Sequence, residues 1–273
     1  MAHNIQRYGW HPSLPDHRDL KADTTGLTVL DEVDLRGSPA MPLIFDQGQL
    51  GSCTANAVSA ALAIDRRLDF PRTSTHPHAW AGRYSRLLIY YGERMLEGSL
   101  GQGDTGAMGR DGFKFAQQYG SVSENTWPYY INKYAVDPPQ SVWDAALTHK
   151  LKKNYVSVPQ DEASIRQVLS NNQTVAFGFT VYDSFEDSTV LQTGIVPMPG
   201  RNESTLGGHE VLAIGYLANY PDHVLCRNSW GTDVYQALQG ADTYGGGYFL
   251  FPWQYLTDPS LAGDLRTIVR PVV

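Results

Sequence analysis

The fold is decided by the stretch DQGQLGSC (residues 46–53), which is followed by TANAVSAALAI (residues 54–64). The glycines before Cys53 predict a turn, whereas the alanine-rich run after it has apolar residues at helical spacing. Because Ser52 is a good N-cap residue, we expect a helix whose first turn holds Cys53. A thiol at that end of a helix has a lowered pKa and is a stronger nucleophile, although a buried, inert cysteine is the common alternative.

Composition places the 273-residue chain among globular proteins, with 42% hydrophobic and 18% charged residues. This length suits one large domain or two lobes around a common core. The net charge of −7 and the lack of a basic run argue against nucleic acid as a partner. No apolar run reaches the roughly 18 residues that span a bilayer, and the N-terminus lacks the order of a signal peptide. We therefore expect no membrane span, and a protein that is cytoplasmic or exported by a non-classical route.

The two cysteines, Cys53 and Cys226, exclude a dense disulfide framework. A single bridge between them is the alternative to two free thiols. Their sequence contexts favour two different roles, a nucleophile at Cys53 and a packing residue at Cys226. The sequence predicts no cofactor and no metal site.

The order of secondary structure predicts an α+β fold with two lobes. Helical patterns fill much of the first part of the chain, at about residues 52–64, 80–97, 111–119 and 161–170. Strand patterns follow at residues 175–179, 210–216, 223–227, 247–251 and 267–270. Residues 1–33 lack a sustained period, so we divide the chain into an N-terminal extension (1–33) and a main domain (34–273) that is expected to hold the functional site. A functional site is expected at the seam between the lobes.

Two later motifs supply the partners that a nucleophilic thiol needs. GGHEVLAIGY (residues 207–216) puts His209 directly before an apolar strand, and NSWG (residues 228–231) begins 19 residues after that histidine (228 − 209). An imidazole can take the proton of the thiol, and a neutral amide such as Asn228 can orient the ring. The alternatives are a surface histidine and a structural asparagine in a turn beside a core tryptophan.

Together these three motifs resemble the papain/cathepsin family of cysteine peptidases, whose nucleophile signature is C-G-[SA]-C-[WY]. The resemblance implies a two-lobe fold with a helical left lobe and an antiparallel, barrel-like β right lobe. It also implies that Cys53 is the nucleophile, His209 its base and Asn228 the residue that orients the base. Gln47, six positions before Cys53 (53 − 47), matches the family's oxyanion-hole glutamine, which would act with the Cys53 backbone amide.

Further segments are similar to the family, namely QYG (residues 118–120) and NTWPY (residues 125–129). Counting back from them places Gly106 and Ala107 at the wall of the substrate cleft, where an extended substrate backbone is expected to pair with Gly106. The resemblance implies further substrate contacts at Gly51, Ser52, Gly208, Glu210 and Trp230.

Three residues depart from the family pattern. Leu50 stands where the family has a cysteine, so a family disulfide is lost, and Thr54 replaces the aromatic residue after the nucleophile. Val234 stands where the family has a second tryptophan, which alters the wall on the primed side of the cleft. None of these changes removes a predicted catalytic group.

The resemblance predicts a cysteine-type peptidase that cleaves a peptide or protein substrate through a thioester acyl-enzyme. The alternative is a papain-fold protein that binds a peptide or another ligand with little turnover. An exopeptidase or a transferase that uses the same thioester chemistry stays open as well, because the motifs do not specify the acyl acceptor.

Two further hypotheses concern specificity and control. Glu210, directly after His209, either gives the S2 subsite a negative character that favours polar or basic P2 side chains, or points elsewhere and is merely solvated. Residues 1–33 contain Tyr8, Trp10 and several prolines, and they are too few for a long helical propeptide. We expect part of them to lie over the cleft and limit access to it, and packing on the back of the domain is the alternative.

Overall fold

Eight α-helices and seven strands make up the computed structural model, which describes residues 8–70 and 83–271. The helices are α1 (Cys53–Asp69), α2 (Arg86–Glu97), α3 (Gly109–Gln118), α4 (Gln140–Leu147), α5 (Glu162–Ser170), α6 (Ser188–Thr193), α7 (Ala241–Tyr244) and α8 (Trp253–Thr257). The strands are β1 (Val33–Asp34), β2 (Tyr155–Ser157), β3 (Val175–Tyr182), β4 (Thr205–Tyr216), β5 (His223–Arg227), β6 (Tyr248–Pro252) and β7 (Ala262–Ile268). Helices α1–α4 precede every strand except β1, which confirms the predicted α+β class.

The strands form one sheet in which neighbouring strands are antiparallel. Its order is β2-β7-β3-β4-β5-β6, and β1 pairs with the end of β4 at Tyr216. Within the described residues β2 and β6 remain at opposite ends of this order and do not pair. The sheet is therefore open, and the barrel-like closure that we expected for the right lobe is not formed.

One end of the sheet is covered by residues 20–22 of the N-terminal extension. The Ser157 amide in β2 donates to the Leu20 carbonyl at 2.7 Å, and the Ala22 amide donates to the Ser157 carbonyl at 2.7 Å. Lys21 thereby forms a parallel bridge with Ser157. This part of the extension pairs with the sheet edge, where it satisfies backbone groups that an edge strand would otherwise expose.

Helix α1 runs through the interior, and every residue from Cys53 to Asp65 is buried. Its alanines allow close packing on α2, α3 and β4. The predicted N-cap residue, Ser52, makes no side-chain cap bond. Instead its Oγ lies 2.5 Å from the Tyr129 hydroxyl and accepts a hydrogen bond from Asn56 Nδ2 at 3.2 Å.

Most predicted elements differ from the structure only at their ends. Helix α2 begins at Arg86 because Ser85 caps it, with Oγ accepting from the Leu88 amide at 3.1 Å. Residues 80–82 of that prediction lie outside the described residues. Helix α3 begins at Gly109, two residues before the predicted start at about residue 111.

Helix α4 and strand β2 were not predicted, and β4 starts earlier than expected, at Thr205. Strand β2 has only three residues, which is too short for an alternating pattern to be visible. Strand β4 extends back to Thr205 because β3 pairs with it as far as Tyr182. This longer pairing fixes the position of His209 opposite Phe179.

The seam lies where the helices meet the sheet. Helices α1 and α3 pack against β3, and α1 also packs against β4 and β7. This packing brings the end of α1 that carries Cys53 to the strand that carries His209.

Candidate active site

Cys53 is the first residue of α1 and is fully buried. Burial raises the pKa of its thiol to about 12, and the nearby Glu210 and Glu93 carboxyls act in the same direction. The backbone amides of Glu210 and Gly9 face the sulfur and oppose that rise. In this state the thiol is therefore protonated at neutral pH, despite its place at a helix N-terminus.

His209 and Asn228 form a hydrogen bond of 2.8 Å between Nε2 and Oδ1. The orientation of the amide is fixed on both sides, because Oδ1 also accepts from the Ser229 backbone amide at 2.8 Å and Nδ2 donates to the Tyr235 hydroxyl at 3.0 Å. An amide oxygen only accepts, so Nε2 of the imidazole must carry the proton. In the neutral ring the lone pair is then on Nδ1.

Aromatic rings enclose the His209 imidazole. The ring centroids of Trp230, Phe179 and Tyr8 lie 5.0, 5.8 and 5.9 Å from that of the imidazole. Burial lowers the pKa of His209 to about 4, although the hydrogen bond to Asn228 opposes the shift. Nδ1 is buried and has no hydrogen-bond partner among the described residues. The imidazole is therefore neutral at pH 7.

Gln47 links the loop before α1 to the NSWG segment. Its Oε1 accepts from the Ser229 hydroxyl at 2.7 Å, and its backbone amide donates to the Ser229 carbonyl at 2.8 Å. Its Nε2 donates to the Leu50 carbonyl at 3.0 Å. An amide nitrogen has two N–H groups, so this bond leaves a second donor beside the start of α1.

The loop that holds Gly106 is tied to the loop that holds Gly51. The Asp104 carboxylate accepts from the Gly51 amide at 2.9 Å and from the Tyr90 hydroxyl. The same hydroxyl accepts from the Gly106 amide at 3.0 Å. Sequence reasoning missed Asp104 and Tyr90, because a lone aspartate in a glycine-rich loop and a tyrosine within a helix give no distinctive signal.

Residues 8–13, which we call the N-terminal segment, run along the seam and pair with it through the main chain. The Ala107 amide donates to the Gly9 carbonyl at 2.7 Å, and the His11 amide donates to the Ala107 carbonyl at 3.1 Å. On the other side the Trp10 amide donates to the Gly208 carbonyl at 2.9 Å. The sequence pointed to Gly106 as the pairing residue of the wall, whereas the groups that pair with this segment belong to its neighbour Ala107.

Glycines permit this close approach. A Cβ atom on Gly9 would lie 1.8 Å from the Gly51 carbonyl oxygen, and one on Gly106 would lie 2.1 Å from the Gly9 carbonyl oxygen. Gly106 also has a φ of 73°, which favours glycine. A side chain at residue 9 would therefore push the N-terminal segment away from the seam.

The side chains of Tyr8 and Trp10 extend in different directions from the segment. The Tyr8 hydroxyl donates to the Glu186 carboxylate, and the ring lies edge-on against the imidazole described above. The Trp10 indole fills the space beside Gly178 and Gly208, where Cβ atoms would lie 1.9 Å and 2.7 Å from its ring.

Glu210 is buried and faces the interior, so the alternative of a merely solvated side chain is wrong. Its carboxyl lies against Gly109, and its Oε2 has no hydrogen-bond partner among the described residues. Burial raises the pKa of Glu210 well above its usual range, Asp264 acts in the same direction and Arg266 opposes it. Burial and Asp264 thus favour the neutral form of the carboxyl.

Thr54 and Ser52 flank Cys53, and their hydroxyls form hydrogen bonds with Glu93 and Tyr129. The Thr54 hydroxyl donates to Oε2 of the buried Glu93 at 2.8 Å. Ser52, which the resemblance placed among substrate contacts, directs its hydroxyl to Tyr129. Sequence reasoning gave no indication of Glu93, whose burial raises its pKa well above the usual range.

Both cysteines are free and buried, so the alternative of a single Cys53–Cys226 bridge is wrong. Over residues 8–70 and 83–271 no group of three or more His, Cys, Asp or Glu side chains is arranged to hold a metal ion. In the same part of the chain, no helix has the length and apolar character needed to cross a membrane.

Comparison with known proteins identifies the family. The family model described as papain family cysteine protease matches residues 29–238. An uncharacterized peptidase C1-like protein of Acanthamoeba polyphaga mimivirus is 33% identical over 98% of this chain and 89% of its own length. Cathepsin L of Sarcophaga peregrina is 24% identical over 79% of this chain and 62% of its own length.

A solved structure shares the whole architecture. Xylellain, a cysteine protease from Xylella fastidiosa, superimposes with a TM-score of 0.82 at 32% identity and covers 96% of both chains. The match includes nearly all of the chain. The chain therefore belongs to the papain family of cysteine proteases and is a cysteine-type peptidase.

Proposed function

We propose that this peptidase cleaves peptide bonds with Cys53 as nucleophile, His209 as general base and acid, and Asn228 as the residue that orients the base. The observation that carries the proposal is the 2.8 Å hydrogen bond between His209 Nε2 and Asn228 Oδ1. It puts the proton on Nε2 and the lone pair on Nδ1, the nitrogen that a thiol can protonate.

The reaction begins when the Cys53 thiol gives its proton to His209 Nδ1. The thiolate attacks the peptide carbonyl carbon, and a C–S bond forms while the carbonyl oxygen becomes negative. That oxygen accepts hydrogen bonds from the second Gln47 Nε2–H and from the Cys53 amide. The C–N bond then breaks as the imidazolium protonates the leaving amine, and a water activated by His209 hydrolyses the thioester.

The same proposal includes a closed state in which the N-terminal segment restrains the enzyme. A thiol pKa of about 12 and an imidazole pKa of about 4 both disfavour the thiolate–imidazolium pair. Burial is the first cause of each shift, and the Tyr8 ring contributes to the burial of the imidazole, whereas the Gly9 amide opposes the shift of the thiol. Departure of residues 8–13 would admit water and lower the cost of the ion pair.

Covalent labelling tests the nucleophile. An epoxide inhibitor of the E-64 type, followed by intact-mass and peptide mass spectrometry, should give one adduct per chain, on Cys53. Cys53→Ala should give none, and Cys226→Ala is the matched control that should still be labelled. An adduct on Cys226, or equal labelling of Cys53→Ala, would overturn the assignment.

Peptide hydrolysis tests the activity itself. Cys53→Ala should abolish the cleavage of a fluorogenic peptide while the circular dichroism spectrum stays that of the wild type. Unchanged turnover in this variant would end the proposal.

A second candidate, a peptide-binding protein with little turnover, is favoured by one observation, the neutral and covered Cys53–His209 pair. The two candidates separate in a variant whose N-terminal segment is displaced, such as Gly9→Val. Rapid cleavage by this variant supports the peptidase with a restraining segment. Saturable peptide binding without cleavage supports the binding protein.

A further inference from the structure

Beside Cys53 lies a pocket that is lined by glycines and filled by the Trp10 indole. Gly178 and Gly208 lie on neighbouring strands β3 and β4, and Glu210 is the cross-strand partner of Gly178. Because side chains alternate along a strand and cross-strand partners share a face, Glu210 points to the face where Gly178 and Gly208 offer none. The Trp10 indole occupies that face, since Cβ atoms on these two glycines would lie 1.9 Å and 2.7 Å from its ring.

The Glu210 carboxyl itself fits into this wall because residue 109 is a glycine. Gly109, at the start of α3, lies so close to the carboxyl that a Cβ atom there would be 2.0 Å from Glu210 Oε2. The three glycines thus provide both the space for a large side chain and the space for the carboxylic acid.

Several acidic groups lie around this pocket in the part of the chain that the structure describes. Glu210 Oε2 is buried without a hydrogen-bond partner among the described residues, and Glu93 interacts unfavourably with it through charge. Asp264 is a further nearby acid. The cation that favours ionisation of Glu210, Arg266, is paired with Asp19 at 2.7 Å. A buried carboxyl with an unsatisfied oxygen costs free energy, and a donor with a positive charge would relieve that cost.

We propose that this pocket, once Trp10 has left it, binds a basic P2 side chain, arginine or lysine, whose charged end pairs with Glu210. The inference rests on the proposed peptidase function and names its substrate class. An indole fills the volume but brings no positive charge, whereas a guanidinium brings several donors in one plane and forms charge-assisted bonds with a carboxylate. An apolar P2 side chain would leave the Glu210 oxygen without a partner.

The test is a ratio of kcat/KM values on the full-length chain. Fluorogenic dipeptide substrates share one P1 residue and differ at P2, which is arginine, lysine, leucine or phenylalanine. The free-energy cost of displacing the N-terminal segment lowers kcat/KM by the same factor for every substrate. The ratio between substrates is therefore independent of that cost. We expect arginine to exceed leucine by about tenfold or more, the effect of one buried charged hydrogen bond.

Substitutions test whether Glu210 causes the preference for arginine at P2. Glu210→Gln should bring the arginine-to-leucine ratio close to one, whereas Glu162→Gln, which removes a carboxylate from the exposed start of α5, should keep the wild-type ratio. If Glu210→Gln yields no folded protein by thermal melting, Gly178→Val provides the second test. Its side chain fills the pocket, so the preference for arginine should fall while the carboxyl remains.

Equal rates for all substrates, or a preference for leucine or phenylalanine in the wild type, would overturn the proposed pocket. An unchanged ratio in Glu210→Gln would do the same. Failure to cleave any substrate, together with failure to label Cys53, is a different result, because it removes the proposed function and this inference with it.

Discussion

The proposed catalytic centre and the N-terminal segment touch one another, yet they are held in different ways. In the centre, contacts join side chains of fixed identity, as between His209 and Asn228. Residues 8–13 instead pair through the main chain with Ala107 and Gly208. Side-chain chemistry is lost with one substitution, whereas main-chain pairing survives most substitutions unless a close approach requires glycine. The two regions should therefore respond to mutation in opposite ways.

The strength of the segment's attachment follows from its contacts. The backbone hydrogen bonds to the seam contribute about 1 kcal/mol each, and burial of the Trp10 indole contributes about 2 kcal/mol. Ordering of the segment offsets part of this sum. The contacts thus set an upper limit of about 5 kcal/mol on the cost of opening, and a cost of about 4 kcal/mol would leave about one molecule in a thousand open.

The largest expected effect is the loss of activity on substitution of His209. His209→Ala should lower kcat/KM for a fluorogenic peptide by about 10⁴-fold or more, because general acid and base are lost together. His223→Ala, at the start of β5, is the matched control and should keep the wild-type rate. A loss of less than tenfold at His209 would show that the centre does not depend on this side chain.

Displacing the segment should have the opposite effect. Gly9→Val places a side chain where a Cβ atom already lies 1.8 Å from the Gly51 carbonyl oxygen, so the segment must leave the seam. We expect kcat/KM in the full-length chain to rise by up to about a thousandfold, as the opening cost disappears. Leu14→Ala, at an exposed position next to the segment, is the control. A Gly9→Val enzyme no faster than this control would contradict restraint by the segment.

The burial of His209 can be read from the pH dependence of stability. In the unfolded chain the imidazole binds a proton below pH 6.5, but in the native protein its pKa is about 4. The contribution of neutral His209 to the free energy of unfolding is therefore fully present above pH 6.5. It is lost as the pH falls from 6.5 to 4, and the free energy of unfolding falls by up to about 3 kcal/mol. Urea unfolding of wild type and His209→Gln at several pH values isolates this contribution from those of Glu93 and Glu210.

The same unfolding measurement on Gly9→Val tests how far the N-terminal segment buries His209. In Gly9→Val the pH-dependent difference attributed to His209 should shrink, because the Tyr8 ring no longer covers the imidazole. If the pH dependence attributed to His209 is the same with and without the segment in place, the core aromatic residues alone bury the imidazole.

The smallest expected effect is at the end of the segment. Tyr8→Phe removes the hydrogen bond to Glu186 and keeps the ring against His209. This weakens the segment by about 1 kcal/mol, so kcat/KM of the full-length chain should rise by about fivefold. Tyr130→Phe, at an exposed tyrosine, is the control. A decrease for Tyr8→Phe would assign the tyrosine to the reaction rather than to the restraint.

Sequence reasoning succeeded where function requires particular residues at particular spacings. Cys53 was expected at the start of a helix, and α1 begins there. His209 and Asn228 were expected to meet, and they are 2.8 Å apart. Such groups are visible in a sequence because few other residues can do their chemistry. Their catalytic roles stay predictions.

What sequence reasoning missed depends on the environment rather than on residue type. Asp104 joins two loops through a tyrosine hydroxyl and a backbone amide, and no local pattern specifies those partners. Ser52 has the right type and position for a cap, but Tyr129 and Asn56 compete for its hydroxyl. The open sheet was missed because closure depends on which edge strands meet, and alternation within one strand says nothing about its neighbours.

The pairing of residues 20–22 with β2 limits how far the N-terminus can be trimmed. Ser157 donates to Leu20 and accepts from Ala22, so these residues act as an added strand that shields an otherwise open edge. Truncation beyond them would expose unpaired amides and carbonyls to other copies of the chain, which is the usual start of edge-to-edge aggregation. A truncated form that tests the proposed restraint should therefore begin between residues 14 and 19, so that residues 8–13 are removed and the sheet edge stays protected.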